Sequence, residues 1–314
     1  MRQLARHGYG LAGILVSVSL VTFVLLNLLP GDPVIAILGE TATPESIAVL
    51  HAQLGFDLPL PMRYLNWLGN ALTGDFGHTF RSGDAIFPLI MQRLPVTLEL
   101  LIIAQVLALA FAIPLGIWTA YRAHRLSDHI SLGVSLGLLS MPAFLIGILL
   151  IYGLALNLRL FPATGFVPLK DGLGTNLRSV FLPAATLALV EFPVYMRLLR
   201  SEMINTLQQN FIGVARAMGL PVWRILFQHA LRPSSINLIT VVGINMGRLI
   251  GGAVIVEVLF ALPGVGQLLV DSIFQKEILV VQGVVLVVAF MFVLINATVD
   301  LLYQVVDPRL SRGR

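Results

Sequence analysis

The chain reads as an all-α polytopic membrane protein with about six transmembrane helices and both termini in the cytoplasm. Of its 314 residues, 57% are hydrophobic and 11% charged, and the mean hydropathy is +0.90. A soluble domain carries about 25% charged residues, so polar groups are too few to cover a water-facing surface. In lipid, every backbone N–H and C=O must be paired within the protein, which leaves helices or a closed barrel. The apolar runs lack the period-two alternation of barrel strands. Six stretches approach the roughly 20 apolar residues that cross a hydrocarbon core: 9–29, 95–121, 131–157, 180–199, 236–258 and 279–303.

The first stretch follows Arg2, Arg6 and His7. It is longer than the apolar core of a secretory signal and no A-x-A-like site follows, so residues 1–29 are expected as a retained N-terminal transmembrane helix. Basic residues then set the orientation. Arg2 and Arg6, Arg122 and Arg125, the group Arg197, Arg200, Arg216, Arg224 and Arg232, and finally Arg309, Arg312 and Arg314 fall in alternate loops and at both ends, which places those segments inside. Residues 30–94 form the long external segment. Turn signals at Pro30-Gly31-Asp32-Pro33 and Gly74-Asp75-Phe76-Gly77 punctuate it, and Pro61–Leu72 has helical spacing. Tyr64 and Trp67 in that helix fit either the core of a small folded cap or anchors at the membrane interface. The membrane core then covers 95–303, with a cytoplasmic loop at 200–235, and 304–314 make a cytoplasmic tail.

The absence of cysteine excludes disulfides, thiolate metal sites and a cysteine nucleophile. A nucleotide cradle needs Gly-Lys-Ser or Gly-Lys-Thr, whereas Lys170 and Lys276 follow Leu169 and Gln275. The histidines lack ligand spacing and no Gly-x-Ser-x-Gly elbow occurs, so neither a metal centre nor an enzyme active site is expected. The net charge of +4 comes from short loops between apolar runs, a topology signal rather than a nucleic-acid surface.

Between the fourth and fifth stretches, residues 201–236 exceed what a helix-to-helix turn needs. Asn210–Leu220 is expected as a short helix, capped by Asn210, ended by Gly219 in a left-handed conformation and stopped by Pro221. Ala215 and Ala217 keep it slim, and a second helical stretch covers Val222–Leu231. Such a helix suits a partner's groove.

The run Ala215-Arg-Ala-Met-Gly-Leu-Pro-Val-Trp-Arg-Ile-Leu-Phe-Gln-His-Ala-Leu-Arg232 resembles the cytoplasmic loop motif of binding-protein-dependent ABC permeases, in the dipeptide, oligopeptide and nickel branch. Agreement extends to Leu54–Leu60, Arg63-Tyr64-Leu65, Leu94–Leu100, Gly251–Phe260, Leu262–Gly266 and Asp300–Arg309, in order and nearly end to end. The resemblance implies the transmembrane domain of a type I ABC importer in a bacterial inner membrane. It implies as partners a second homologous permease, two ATPase subunits below, an external substrate-binding protein above and the surrounding membrane lipid, with no nucleic acid. It also implies no cofactor in this chain, ATP and Mg being bound by the ATPases. The expected cargo is peptide, with nickel or another small solute as the alternative; a secondary transporter or channel is the competing class.

The wider family opens this loop with Glu-Ala-Ala, where this chain has Gly213, Val214 and Ala215. A charged anchor to the ATPase must then come from elsewhere, and Arg216, followed by Arg224, is the candidate. The expected coupling surface is therefore Asn210, Ala215, Arg216, Ala217, Gly219, Leu220 and Arg224. Ionisable groups at membrane depth face a cavity or a partner. Glu191 beside Pro193, and Arg248 among Gly243, Gly247, Gly251 and Gly252, are such groups, so Arg248 is expected to line the translocation path or to pair with Glu191. Asn245 and Asn237 are weaker path candidates, and Glu257 and Glu99 are expected in contact with water near span ends.

Overall fold

The computed structural model describes the backbone of residues 2–28, 34–35, 43–53 and 57–306. The expected turn at Pro30–Pro33 and the last residues of the tail, 307–314, lie outside them. Among the described residues the helices are α1 (Arg2–Leu28), α2 (Pro44–Gln53), α3 (Leu60–Leu72), α4 (Ile86–Tyr121), α5 (Leu126–Leu139), α6 (Ala143–Leu150), α7 (Leu173–Leu207), α8 (Asn210–Ala217), α9 (Val222–Phe260), α10 (Val265–Phe274) and α11 (Ile278–Val306). A π turn, Ile151–Asn157, extends α6, and another, Ile225–Ala230, lies inside α9. An isolated bridge between His78 and Ala85 is the β pairing found among them.

The helices α4, α7 and α9, and α11 over Ile278–Thr298, are long and apolar enough to cross a membrane, and α5 with α6 and its π turn counts as a fifth span if the bent pair is one. Helix α1 is the remaining element of the expected six; its described apolar part is Gly13–Leu28. The third stretch, expected as one straight span, breaks by 106° between Leu139 and Ala143. Pro142 causes this: it holds an extended backbone (φ −62°, ψ 146°), has no N–H to give and disfavours helix in the residue before it.

Helix ends differ from apolar ends. Helix α4 starts at Ile86, inside the segment assigned to the external loop, and α7 and α9 run past 180–199 and 236–258 in both directions. The cytoplasmic loop of 200–235 thus contracts to Gln208–Pro221 around α8. Apolarity marks lipid depth, whereas i→i−4 pairing continues for as long as one helix face still packs.

The backbone divides into two compact units, residues 1–97 with 263–293 and residues 98–262 with 294–314. In the first unit, α3 lies against α1. The Tyr64 ring meets Phe23 edge-on at 5.4 Å, and its hydroxyl shares a 2.8 Å hydrogen bond with Ser19 Oγ. Tyr64 is therefore a core residue of this packing rather than an interfacial anchor. Glu277 is buried and accepts the N–H groups of Phe80 at 2.8 Å and Arg81 at 3.0 Å, which fixes the turn before α4. A Cβ on Gly283 of α11 would stand 3.0 Å from Phe76 and 3.1 Å from Ile86, so the missing side chain sets how near α4 comes.

In the second unit, the core gathers Ala108 and Ala112 of α4, Tyr195, Met196, Leu199 and Met203 of α7, Ile212 and Ala215 of α8, and Leu226 and Leu238 of α9. Small residues allow close approach where α4 meets α7: a Cβ on Gly116 would be 3.2 Å from Leu199 Cβ and from the Met196 carbonyl. Of the α9 glycines, Gly243 and Gly247 are buried, Gly252 meets Leu187 at 3.5 Å and Gly251 faces open space. Helix α9 ends at Ala261 in the left-handed region (φ 51°), where Leu262 N–H closes the turn on the Glu257 carbonyl at 2.9 Å. Glu257 is fully buried, which corrects the expectation that it meets water: the turn after it folds back over the helix end.

Asp128 at the start of α5 is 1% exposed and accepts a two-pronged bond from Arg200 of α7, Nε to Oδ1 and Nη2 to Oδ2, each 2.6 Å. Its Oδ2 also accepts the His124 N–H at 2.9 Å, in the turn joining α4 to α5. Removing one member of such a pair strands the other charge, a loss of about 3–5 kcal/mol. Asp128→Asn is expected to lower stability by about 3 kcal/mol in unfolding of the reconstituted protein, and Asp128→Asn with Arg200→Met to recover most of it; an unchanged midpoint for the single variant would remove the pair from the scaffold.

Candidate coupling surface and intramembrane polar groups

Helix α8 owes its short length to its two ends. Gln209 is extended (φ −71°, ψ 148°) and precedes the helix, so Asn210 is the first helical residue; no side-chain cap forms, contrary to the expected Asn210 cap. The chain needs its extended residue directly after the end of α7, which moves the cap position back by one. At the other end Gly219 adopts φ 76° as expected, and Leu220 N–H closes on the Ala215 carbonyl at 3.2 Å. Pro221 is extended and leads into α9.

One face of α8 belongs to the core. Ile212 is fully buried and Ala215 is 6% exposed, and half-buried Leu220 packs against the same cluster. The expectation that Ala215 presents a slim outer surface is therefore corrected: its small side chain lets α8 approach its own unit. The other face is open, with Asn210, Arg216, Ala217 and Gly219 exposed. Beside them stand apolar side chains that the sequence reading passed over: Phe211, Val214 and Met218, the last 72% exposed, then Val222, Trp223 and Phe227 of α9. Their signal was present in the i, i+3, i+7 spacing of 211, 214 and 218, a second apolar stripe offset from Ile212 and Ala215. Arg224 lies with its guanidinium 5.4 Å from the centre of the neighbouring Trp223 ring, so it stiffens this patch in addition to carrying charge.

At membrane depth α7 and α9 are joined by polar side chains. Glu191, 4% exposed, accepts the Asn245 amide at 2.9 Å; both groups are buried. One turn along α7, the Tyr195 hydroxyl donates to Gln105 Oε1 of α4 at 3.2 Å. Near the other end of the contact, Asn237 donates to Glu202 at 2.8 Å. Asn245 and Asn237 thus bond a neighbouring helix. Arg248 is exposed and makes no ion pair with Glu191: the ion pairs among the described residues are Arg200–Asp128 and His51–Asp57. Arg248, one turn beyond Asn245 on α9, stays near enough to Glu191 to act on its charge while its own side chain remains exposed.

The geometry is thus a small helix fixed by one face, an open apolar surface around it and a polar seam behind it. Two family models match this chain: the binding-protein-dependent transport system inner membrane component over residues 112–312, and the N-terminal part of such a membrane component over residues 1–101. A protein of Brucella abortus (strain 2308) named as a peptide transport system permease is 38% identical over 296 residues, covering 94% of each chain. The dipeptide transport system permease of Escherichia coli K12 is 35% identical over 323 residues, covering 95% of each. Among solved structures, the MetNI methionine ABC transporter in an inward-facing form shares the fold with a TM-score of 0.58 at 15% identity, over 70% of this chain and 96% of that one. The chain belongs to the family of inner-membrane components of binding-protein-dependent transport systems, as an ABC transporter permease.

Proposed function

We propose that this permease forms half of a peptide-conducting pathway, paired with a second homologous permease, served by an external binding protein and driven by two ATPase subunits that carry ATP hydrolysis. The observation that supports the drive is the α8 surface. Phe211, Val214, Met218 and Trp223 leave apolar area uncovered on the side that the basic residues assign to the cytoplasm. A short amphipathic helix seated in a partner's groove would cover it. Ile212 and Ala215 anchor α8 to α7 and α9, so a partner that displaces α8 moves both spans. ATPase closure then favours one pore state by the contacts made in that state. Peptide as cargo is supported by the names of the relatives in Brucella abortus and Escherichia coli.

Arg216 is exposed, and in the absence of the family's glutamate it is the polar anchor of this surface. Arg248, open and unpaired with Glu191, lines the path and meets the carboxylate end of a peptide. Glu191 and Asn245 hold α7 to α9 behind it. Uptake of dipeptides by proteoliposomes holding both permeases and the ATPases, dependent on binding protein and ATP, is the direct test; uptake that persists without the ATPases, or of nickel alone, would refute the reading.

Two variants separate the parts. Met218→Asp should weaken ATPase association at least about tenfold, because interface anchors cost more than 1 kcal/mol when lost, while stability stays within about 0.5 kcal/mol as for other exposed substitutions; pull-down titration with unfolding curves checks both. Arg248→Gln should leave assembly intact and lower uptake of dipeptides with a free carboxylate relative to C-terminally amidated ones. Equal uptake of the two by wild type and variant would take Arg248 off the path.

A further inference from the structure

At the cytoplasmic end of α7, an open cavity of about 510 Å³ lies between α5 and α7. Leu132 and Leu139 form one wall, Val194 and Leu198 the other, and Arg197, Arg200 and Ser201 line it too. The two arginines differ. Arg200 is neutralised by Asp128 through its Nε and one Nη. Arg197 and Ser201 are both exposed, and among the described residues Arg197 takes part in no ion pair and the Ser201 hydroxyl makes no hydrogen bond.

Depth narrows the occupant. The apolar stretch 180–199 of α7 ends at this level, and Arg197 is ten residues, about 15 Å of helical rise, before the end of the helix at Leu207. That puts the guanidinium beside lipid headgroups, between the hydrocarbon core and α8. The walls of the groove, Leu132, Leu139, Val194 and Leu198, are themselves apolar, a surface of the kind lipid chains cover. A ligand that fills the groove must combine a negative group accepting hydrogen bonds with an apolar tail.

We propose that this groove is a binding site for one anionic phospholipid of the inner leaflet. The phosphodiester accepts hydrogen bonds from the Arg197 guanidinium and the Ser201 hydroxyl, and the acyl chain lies along Leu132, Leu139, Val194 and Leu198. The Asp128–Arg200 pair closes the polar end of the groove with no net charge, leaving Arg197 to select for an anion. The site is separate from the transport reading and does not depend on the cargo.

Native mass spectrometry of the assembled transporter, taken from nanodiscs of phosphatidylglycerol and phosphatidylethanolamine, tests it. The wild type should retain phosphatidylglycerol preferentially. Arg197→Gln should reduce that retention about fivefold, the equivalent of one basic residue at a lipid surface; Ser201→Ala should reduce it less, and Arg197→Lys should keep most of it. Inorganic phosphate at millimolar concentration should not displace the lipid, for want of the apolar half. Equal retention in wild type and Arg197→Gln, displacement by phosphate alone, or a groove shielded by the second permease in crosslinking at Leu139 would each overturn the proposal.

Discussion

The constraint on which this structure depends is that lipid supplies no hydrogen-bond partner to the backbone. Each departure from the α-helix must therefore be closed by the chain itself. The π turn after α6 and the one inside α9 keep their N–H and C=O groups paired in wider loops, and the turn after α9 returns Leu262 N–H to the Glu257 carbonyl. Three buried carboxylates are closed within the chain in the same way. Glu191, Asp128 and Glu277 are buried, and each accepts from a donor supplied by another segment of its own unit. These bonds act as much through register as through energy. Hydrophobic packing alone would let α7 slide against α9, whereas Glu191–Asn245 and Glu202–Asn237 fix the offset at two levels.

Much of the architecture was legible in the sequence because lipid turns apolarity into position. The spans were found where 57% hydrophobic composition concentrates, and α8 was found through Gly219 and Pro221, residues whose backbone preferences are local. What remained hidden is tertiary. Nothing local to residues 131–157 distinguishes a bent pair from a straight span except Pro142, and proline is tolerated inside helices here, as Pro183 and Pro193 of α7 illustrate. Whether a proline breaks a helix depends on what its neighbours supply to the freed carbonyls.

The site divides in the same manner. Arg216, Ala217 and Gly219 are exposed, but Ala215 turns inward, and Asn210 is the first helical residue behind Gln209, with no side-chain cap. On so short a helix, one residue of phase decides which side chains face the core. The ion pair Asp128–Arg200 joins residues far apart in sequence, and no spacing rule reports such a partner. Arg248 and Glu191 were each identified as exceptional by their cost in lipid, yet that cost does not say with whom each is satisfied.

Helix α9 has a mechanical consequence. It runs without a break from Val222, beside α8, to Phe260 at the far end, with its π turn at Ile225–Ala230 and Pro233 directly beyond. A π turn followed by a proline interrupts the regular i→i−4 ladder at one place, so bending of this long helix concentrates near its cytoplasmic end and the remaining turns up to Phe260 keep the regular ladder.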